Sequence, residues 1–214
     1  MTLTATGTPF NGPLGIAFDA AGDLFVANNG GAPTATTALT VAGTTIVEFL
    51  HGNLPAVTAT PVAVALTPNV VLMDKIGGFT IQAPWALAFD QVGNLFSSNA
   101  NPPNTLVAFA PASLLASAQA VASMTISPMT MGGNTTLAAP NGICFDSAFD
   151  LVAVSSAAPF GLVVYDAPRF TTGNLAAPGT FIGPGVTADA AGGAMTMGST
   201  LNQPAGCTFG PLVM

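Results

Sequence analysis

The stretch Pro13-Leu-Gly-Ile-Ala-Phe-Asp-Ala-Ala-Gly-Asp-Leu-Phe-Val-Ala-Asn28 decides the fold, because the chain repeats it. Its opening returns as Pro84-Trp-Ala-Leu-Ala-Phe-Asp90, as Pro140-Asn-Gly-Ile-Cys-Phe-Asp146 and, in a fourth form, as Pro204-Ala-Gly-Cys-Thr-Phe-Gly210. Successive prolines stand 71, 56 and 64 residues apart, a period that marks one supersecondary unit copied along the chain. Each opening run is β-prone, and a second β-prone run begins ten residues after each of the first three prolines. These second runs are Asp23-Leu-Phe-Val-Ala-Asn28, Asn94-Leu-Phe-Ser-Ser-Asn99 and Asp150-Leu-Val-Ala-Val-Ser155. The link between the two runs, Asp19-Ala-Ala-Gly-Asp23 in the first unit, puts Asp and Gly where a tight hairpin needs them.

Working outward, a third strand reads as Thr45-Ile-Val-Glu-Phe49, Thr105-Leu-Val-Ala-Phe109 and Gly161-Leu-Val-Val-Tyr165. Its aromatic lies 25 residues after the proline in units two and three and 36 after it in unit one. An 11-residue insertion within 29–43, rich in Gly, Ala and Thr, accounts for the difference and reads as a surface loop. Leu66, Ile126 and Ile182 each follow the third-strand aromatic by 17 residues, so each is expected to end a fourth strand. The fold class is therefore all-β, with three complete units of four antiparallel strands at 13–83, 84–139 and 140–203 of one repeat domain. Partial strands are expected at 1–12, where Leu3 ends a stray fourth strand, and at 204–214. A lone four-stranded sheet has two apolar faces, so the units must stack face to face. A two-sheet sandwich also uses short strands, but it gives no reason for a repeat of this length.

Only 5% of the residues are charged, against roughly 25% in a typical globular domain. Lys75 and Arg169 are the only cations in a chain of net charge −7, which excludes binding nucleic acid by phosphate neutralisation. Mean hydropathy is +0.62, yet Pro, Gly, Asn or Thr interrupts every apolar stretch well short of the ~20 residues of a membrane-spanning helix. One Trp and one Tyr do not draw the aromatic girdles of a membrane barrel. Residues 1–15 show neither the basic start nor the apolar core of a secretory signal. The scarcity of Lys leans the chain towards an extracellular or cell-surface setting. A surface of Thr, Ser, Asn and Gln lacks charge repulsion and leaves self-association open.

The run at 13–28, with its drifted copies at 84–99 and 140–155, resembles the signature of NHL-repeat β-propellers, which are similar to SMP-30-like and streptogramin-lyase-like propellers. In the copies Trp85-Ala86-Leu87 stands for the x-Gly-Ile of the pattern, and Ala148 for the turn glycine. The resemblance implies blades with strand one on a central channel and strand four outermost. It spans functions from protein- and RNA-binding modules to metal-dependent enzymes. A shortage of blades for a closed ring implies either a fragment of a longer protein or incomplete ends that pair with other copies of the chain or with another protein.

Candidate residues follow from the repeat. Asp19, Asp23, Asp90, Asn94, Asp146 and Asp150 recur at the hairpin turns. Hard oxygen ligands of this kind suit Ca²⁺, but recurrence in every unit favours turn chemistry, so no metal or other cofactor is expected. Trp85, at the entrance to strand one, is the candidate contact for a ligand or partner. His51, the only histidine, falls just past a strand and lacks the nucleophile and orienting carboxylate of a catalytic set. No Gly-x-Ser-x-Gly elbow occurs, and no catalytic residue is assigned. Cys144 and Cys207 read as occupants of the repeat position held by Ala17 and Ala88, and as two buried thiols. Met124, Met129, Met131, Met195 and Met197 read as adaptable packing between layers or protomers. Arg169 and Lys75 are placed to pair with Asp166 and Asp74, at little energetic value. These features point to a non-enzymatic scaffold or interaction module, with a metal-dependent hydrolase or lyase and a ligand-binding propeller as the rivals.

Overall fold

The computed structural model describes residues 2–5, 10–30, 44–56, 63–73, 80–128, 130–131, 134–135, 137–157, 160–165, 173–175, 180–183, 186–189, 194–195 and 207. Strand β1 (Thr2–Ala5) precedes the first repeat. The first blade holds β2 (Pro13–Phe18), β3 (Leu24–Asn29), β4 (Thr44–Phe49), β5 (Ala63–Leu66) and β6 (Val70–Met73). The second holds β7 (Pro84–Phe89), β8 (Leu95–Asn99), β9 (Leu106–Phe109), β10 (Ala118–Gln119) and β11 (Met124–Ile126). A small pair, β12 (Thr130–Met131) and β13 (Asn134–Thr135), leads to the third blade. That blade holds β14 (Pro140–Phe145), β15 (Leu151–Ser155), β16 (Gly161–Tyr165), β17 (Gly173–Leu175), β18 (Thr180–Gly183), β19 (Val186–Asp189) and β20 (Ala194–Met195).

The architecture is all-β and of the β-propeller type. Each blade is a four-stranded antiparallel meander, β2-β3-β4-β6, β7-β8-β9-β11 and β14-β15-β16-β18. The two-residue period puts alternate side chains on opposite faces, and both faces are apolar. Phe25, Ile46 and Leu72 of blade one meet Leu87, Val107 and Phe109 of blade two in one buried cluster. Phe96, Leu106 and Met124 of blade two meet Ile143, Val163 and Tyr165 of blade three in another. Edge-to-face aromatic pairs, Phe25–Phe89 at 5.0 Å and Phe96–Phe145 at 5.2 Å, join the blades at equivalent places. Such pairs add about 1 kcal/mol beyond the area they bury.

The structure departs from the 17-residue offset in the first blade. Ile126 and Ile182 pair with Leu106 and Leu162, as the offset requires. The equivalent residue of β4, Ile46, pairs with Leu72 and not with Leu66. Leu66 ends β5, which runs parallel to β1. The reason lies in two consecutive β-prone runs, Ala63-Val-Ala-Leu66 and Val70-Val-Leu-Met73, of which the offset selects the first.

The displaced strand belongs to a second repeated pattern. Segment β10 of blade two pairs in parallel with β6, the outer strand of blade one. Segment β17 of blade three pairs in the same way with β11 of blade two. Each lies between the third and fourth strands of its own unit, as β5 does. By this equivalence β1 holds the place of an outer strand of a unit preceding the first. An outer edge strand exposes unpaired backbone groups, and the following unit covers them. Blade three differs, because its outer strand β18 is extended by its own β19 and β20.

Several sequence expectations fall outside the described residues. They are most of the 29–43 insertion, Lys75, Arg169, Asp74, Asp166, Met129, Met197 and, apart from Cys207, the strand at 204–214.

Candidate functional site: the inner wall of the first strands

The hairpin turns repeat down to single hydrogen bonds. Asp19 Oδ1 accepts from the backbone N–H of Ala21 and Asp23 at 2.9 Å each. Asp90 Oδ1 accepts from Val92 at 3.0 Å and Asn94 at 2.8 Å, and Asp146 Oδ1 accepts from Ala148 at 2.8 Å and Asp150 at 2.9 Å. Asn94 also donates to Asp90 Oδ2 at 2.7 Å. Asp23 Oδ1 accepts from the N–H of His51, which starts a 3₁₀ turn at His51–Asn53. The His51 ring lies exposed beside Gly22, and Pro111 takes the equivalent place beside Gly93 in blade two. A proline in that place points to packing on the turn as the role of the position. Among the described residues, no three His, Cys, Asp or Glu side chains cluster closely enough to hold a metal ion.

The left-handed position of the third turn is Phe149. Gly22 and Gly93 have φ of +84° and +88°, and the third turn puts Phe149, not Ala148, into this left-handed region at +64°. Counted from Asp146, Phe149 is the fourth residue of the turn, as Gly22 is from Asp19.

A buried polar clasp, unassigned from sequence, holds each first strand at its entrance. Asn28 Oδ1 accepts from the N–H of Asn11 at 3.1 Å, Asn99 Oδ1 from Gln82 at 3.0 Å, and Ser155 Oγ from Ala138 at 3.1 Å. All three acceptors are fully buried at the ends of their second strands. Asn28 and Asn99 also donate to Thr45 Oγ1 and Thr105 Oγ1 at 3.0 Å. Residues Gly12, Ala83 and Ala139, just before the prolines, have φ of +60°, +49° and +46°. Their carbonyls accept from the N–H of Asn29, Ala100 and Ser156. The signal was present in the sequence as Asn, Asn and Ser at the close of the repeated second run.

Past the clasp every first strand bulges at one place. Residue 14 has no partner between the pairs Pro13–Asn28 and Gly15–Ala27, and residue 141 is likewise extra in blade three. In blade two, residues 85 and 86 lie opposite one residue, and Ser98 Oγ accepts from the N–H of Ala86 at 3.0 Å. A bulge turns its side chain away from the ladder. Around these bulges is a cavity of about 260 Å³, walled by Leu14 and Ile16 of β2, Trp85 and Leu87 of β7, and Asn141 and Ile143 of β14. The strands are close enough there that a Cβ on Gly15 would stand 2.9 Å from Ala86 Cα. Trp85 is partly buried in this wall. Asn141 Oδ1 is buried with no hydrogen-bond partner among the described residues.

Cys207 also lines the cavity and is bonded to Cys144, with Cα atoms 5.8 Å apart, within the usual range for a disulfide. This overturns the expectation of two thiols. Counted to the aromatics Phe145 and Phe209, the cysteines occupy adjacent repeat positions, not the same one. Cys144 corresponds to Ala17 and Ala88, which face the following blade, and Cys207 to Leu87 and Ile143, which face the preceding one. Alternation along a strand therefore points the two sulfurs at each other.

One face stays uncovered. Ile16 is 64% and Phe18 56% exposed, whereas their equivalents Leu87 and Ile143 are 7% and 5% exposed, and Phe89 and Phe145 stack on the preceding blade.

No protein-family model matches the chain, and no curated protein matches it. Among solved structures it is similar to a catalytically inactive virginiamycin B lyase from Staphylococcus aureus with quinupristin, at 10% identity and a TM-score of 0.40. The likeness covers 94% of this chain and 60% of that one.

Proposed function

We propose that the chain is a non-enzymatic propeller scaffold of the NHL-repeat kind, acting as an interaction module that associates with other copies of itself. The observation that carries this is the uncovered row of Leu14, Ile16 and Phe18 on blade one. Two interfaces inside the chain support this reading, because in each the residues equivalent to Ile16 and Phe18 pack on the apolar face of the preceding blade. With 5% charged residues, little on the surface opposes association. The Cys144–Cys207 disulfide suits an oxidising, extracellular or cell-surface setting.

Size-exclusion chromatography with light scattering tests the reading. A mass above the 21.1 kDa of one chain is expected, falling to one chain in Phe18→Asp and Ile16→Asp. Both side chains are mostly exposed, so neither change removes core packing. A parent chain that remains a monomer at high concentration overturns the self-association.

A further inference from the structure

We propose that the cavity on the inner wall is a binding site for a neutral small molecule carrying an aromatic ring and an amide or hydroxyl group. Three independent features converge there. The cavity of about 260 Å³ is close to the lower end of ordinary ligand sites. Its wall is formed where all three first strands bulge, at the first-strand position whose residue differs in kind in every unit: Leu14, Trp85 and Asn141. Two residues later the same strands keep one chemical character, with Ile16, Leu87 and Ile143.

The ligand class follows from the wall. Among the described residues no ionisable side chain lines it, so a charged group would lose its hydration with no counter-charge in return. Trp85 lines it together with Leu14 and Ile16 of β2, which gives an aromatic ring apolar side chains to meet. Asn141 supplies the polar contact. No hydrogen bond among the described residues holds its buried carbonyl oxygen, which is left to accept from a donor on the ligand. The bulges also release backbone groups from the ladder at this point.

Benzamide is the probe, with toluene as its apolar counterpart and benzoate as its charged one. Trp85 is the sole tryptophan, so its fluorescence reports the site directly. Benzamide is expected to change that emission saturably with a Kd on the order of 1 mM, a fair value for nine heavy atoms, and benzoate is expected to leave it unchanged. Asn141→Leu is expected to weaken benzamide about fivefold and leave toluene unaffected, the loss of one hydrogen bond. On the unmodified chain, the Asn141 side-chain amide resonance is expected to move with benzamide and stay still with toluene. The titration is repeated on Phe18→Asp, so that a failure of self-association is read separately from a failure of binding. Overturning outcomes are no saturable emission change with benzamide, or a still Asn141 amide resonance while Trp85 responds.

Discussion

At the scale of single residues, two side chains sit where the repeat would choose otherwise. Phe149 adopts a left-handed backbone that its counterparts Gly22 and Gly93 adopt freely, and its ring is 41% exposed. An L-residue there costs about 1 kcal/mol, and little packing offsets it. Phe149→Gly is therefore expected to stabilise the chain by about 1 kcal/mol, read as a higher urea midpoint with an unchanged slope. Glu48 is the second case. It is buried on β4 beside Phe25, and its Oε2 accepts from Asn69 Nδ2 at 2.7 Å. Burial raises its pKa above 4.5, Asn69 opposes the rise, and the Asp23 and Asp19 carboxylates add to it. The folded chain thus holds this proton more tightly than the unfolded chain. The resulting stability is fully present below pH 4.5 and is lost as pH climbs through the raised value. Glu48→Gln removes the charge and keeps the size, so its stability is expected to lose this pH slope. At pH 7 the variant should match or exceed the parent. Urea titrations at pH 4.5 and pH 7 check it, and a variant weaker than the parent at pH 7 contradicts it.

At the scale of elements, the legible parts of the fold were those written in local chemistry. The Pro-to-Asp run and the following β-prone run set the first and second strands of every blade within a residue or so, because a tight turn with Asp and Gly leaves no freedom of register. The fourth strand of blade one was not legible from spacing. β5 and β6 have similar composition, and the difference between them is where their edges pair, a long-range fact absent from local sequence. The strand from each following unit that covers an outer edge was hidden for the same reason, since β10 has only two residues. Among site residues, Trp85 stood out as the only tryptophan, but the cavity around it needs three strands from three units. Leu14 and Asn141 looked like drift at a variable position until the bulges placed them on one wall. The adjacent-position geometry of Cys144 and Cys207 was readable in principle from their distances to Phe145 and Phe209. The clasp residues Asn28, Asn99 and Ser155 were visible as a polar close to an apolar run, with nothing local to say what they bind.

At the scale of the whole molecule, a repeat array is stable as a sum of units and the interfaces between neighbours, so its end units are the weak ones. Blade two is covered on both sides by its neighbours. Among the described residues no parallel strand flanks the outer strand of blade three as β10 and β17 flank those of the other two blades, and two local features hold that blade. Its outer strand is extended by β19 and β20, and the Cys144–Cys207 bond ties its first strand to a residue 63 positions later. Everything between the two cysteines, β15 to β20, lies inside that covalent loop. Closing a loop of this length in the unfolded chain is worth about 4 kcal/mol by chain entropy, and 2–4 kcal/mol is the usual measured range. Reduction is therefore expected to lower the stability of the chain by about 3 kcal/mol, with blade three the first to exchange its amides. Two measurements check this together. Denatured protein treated with iodoacetamide should take up no label before reduction and two labels after it. The double variant Cys144→Ala/Cys207→Ala should then show the lower urea midpoint without reductant and no further drop with it. Two labels before reduction would show that the bond is not there. A double variant as stable as the parent would show that blade three is held by its strands alone.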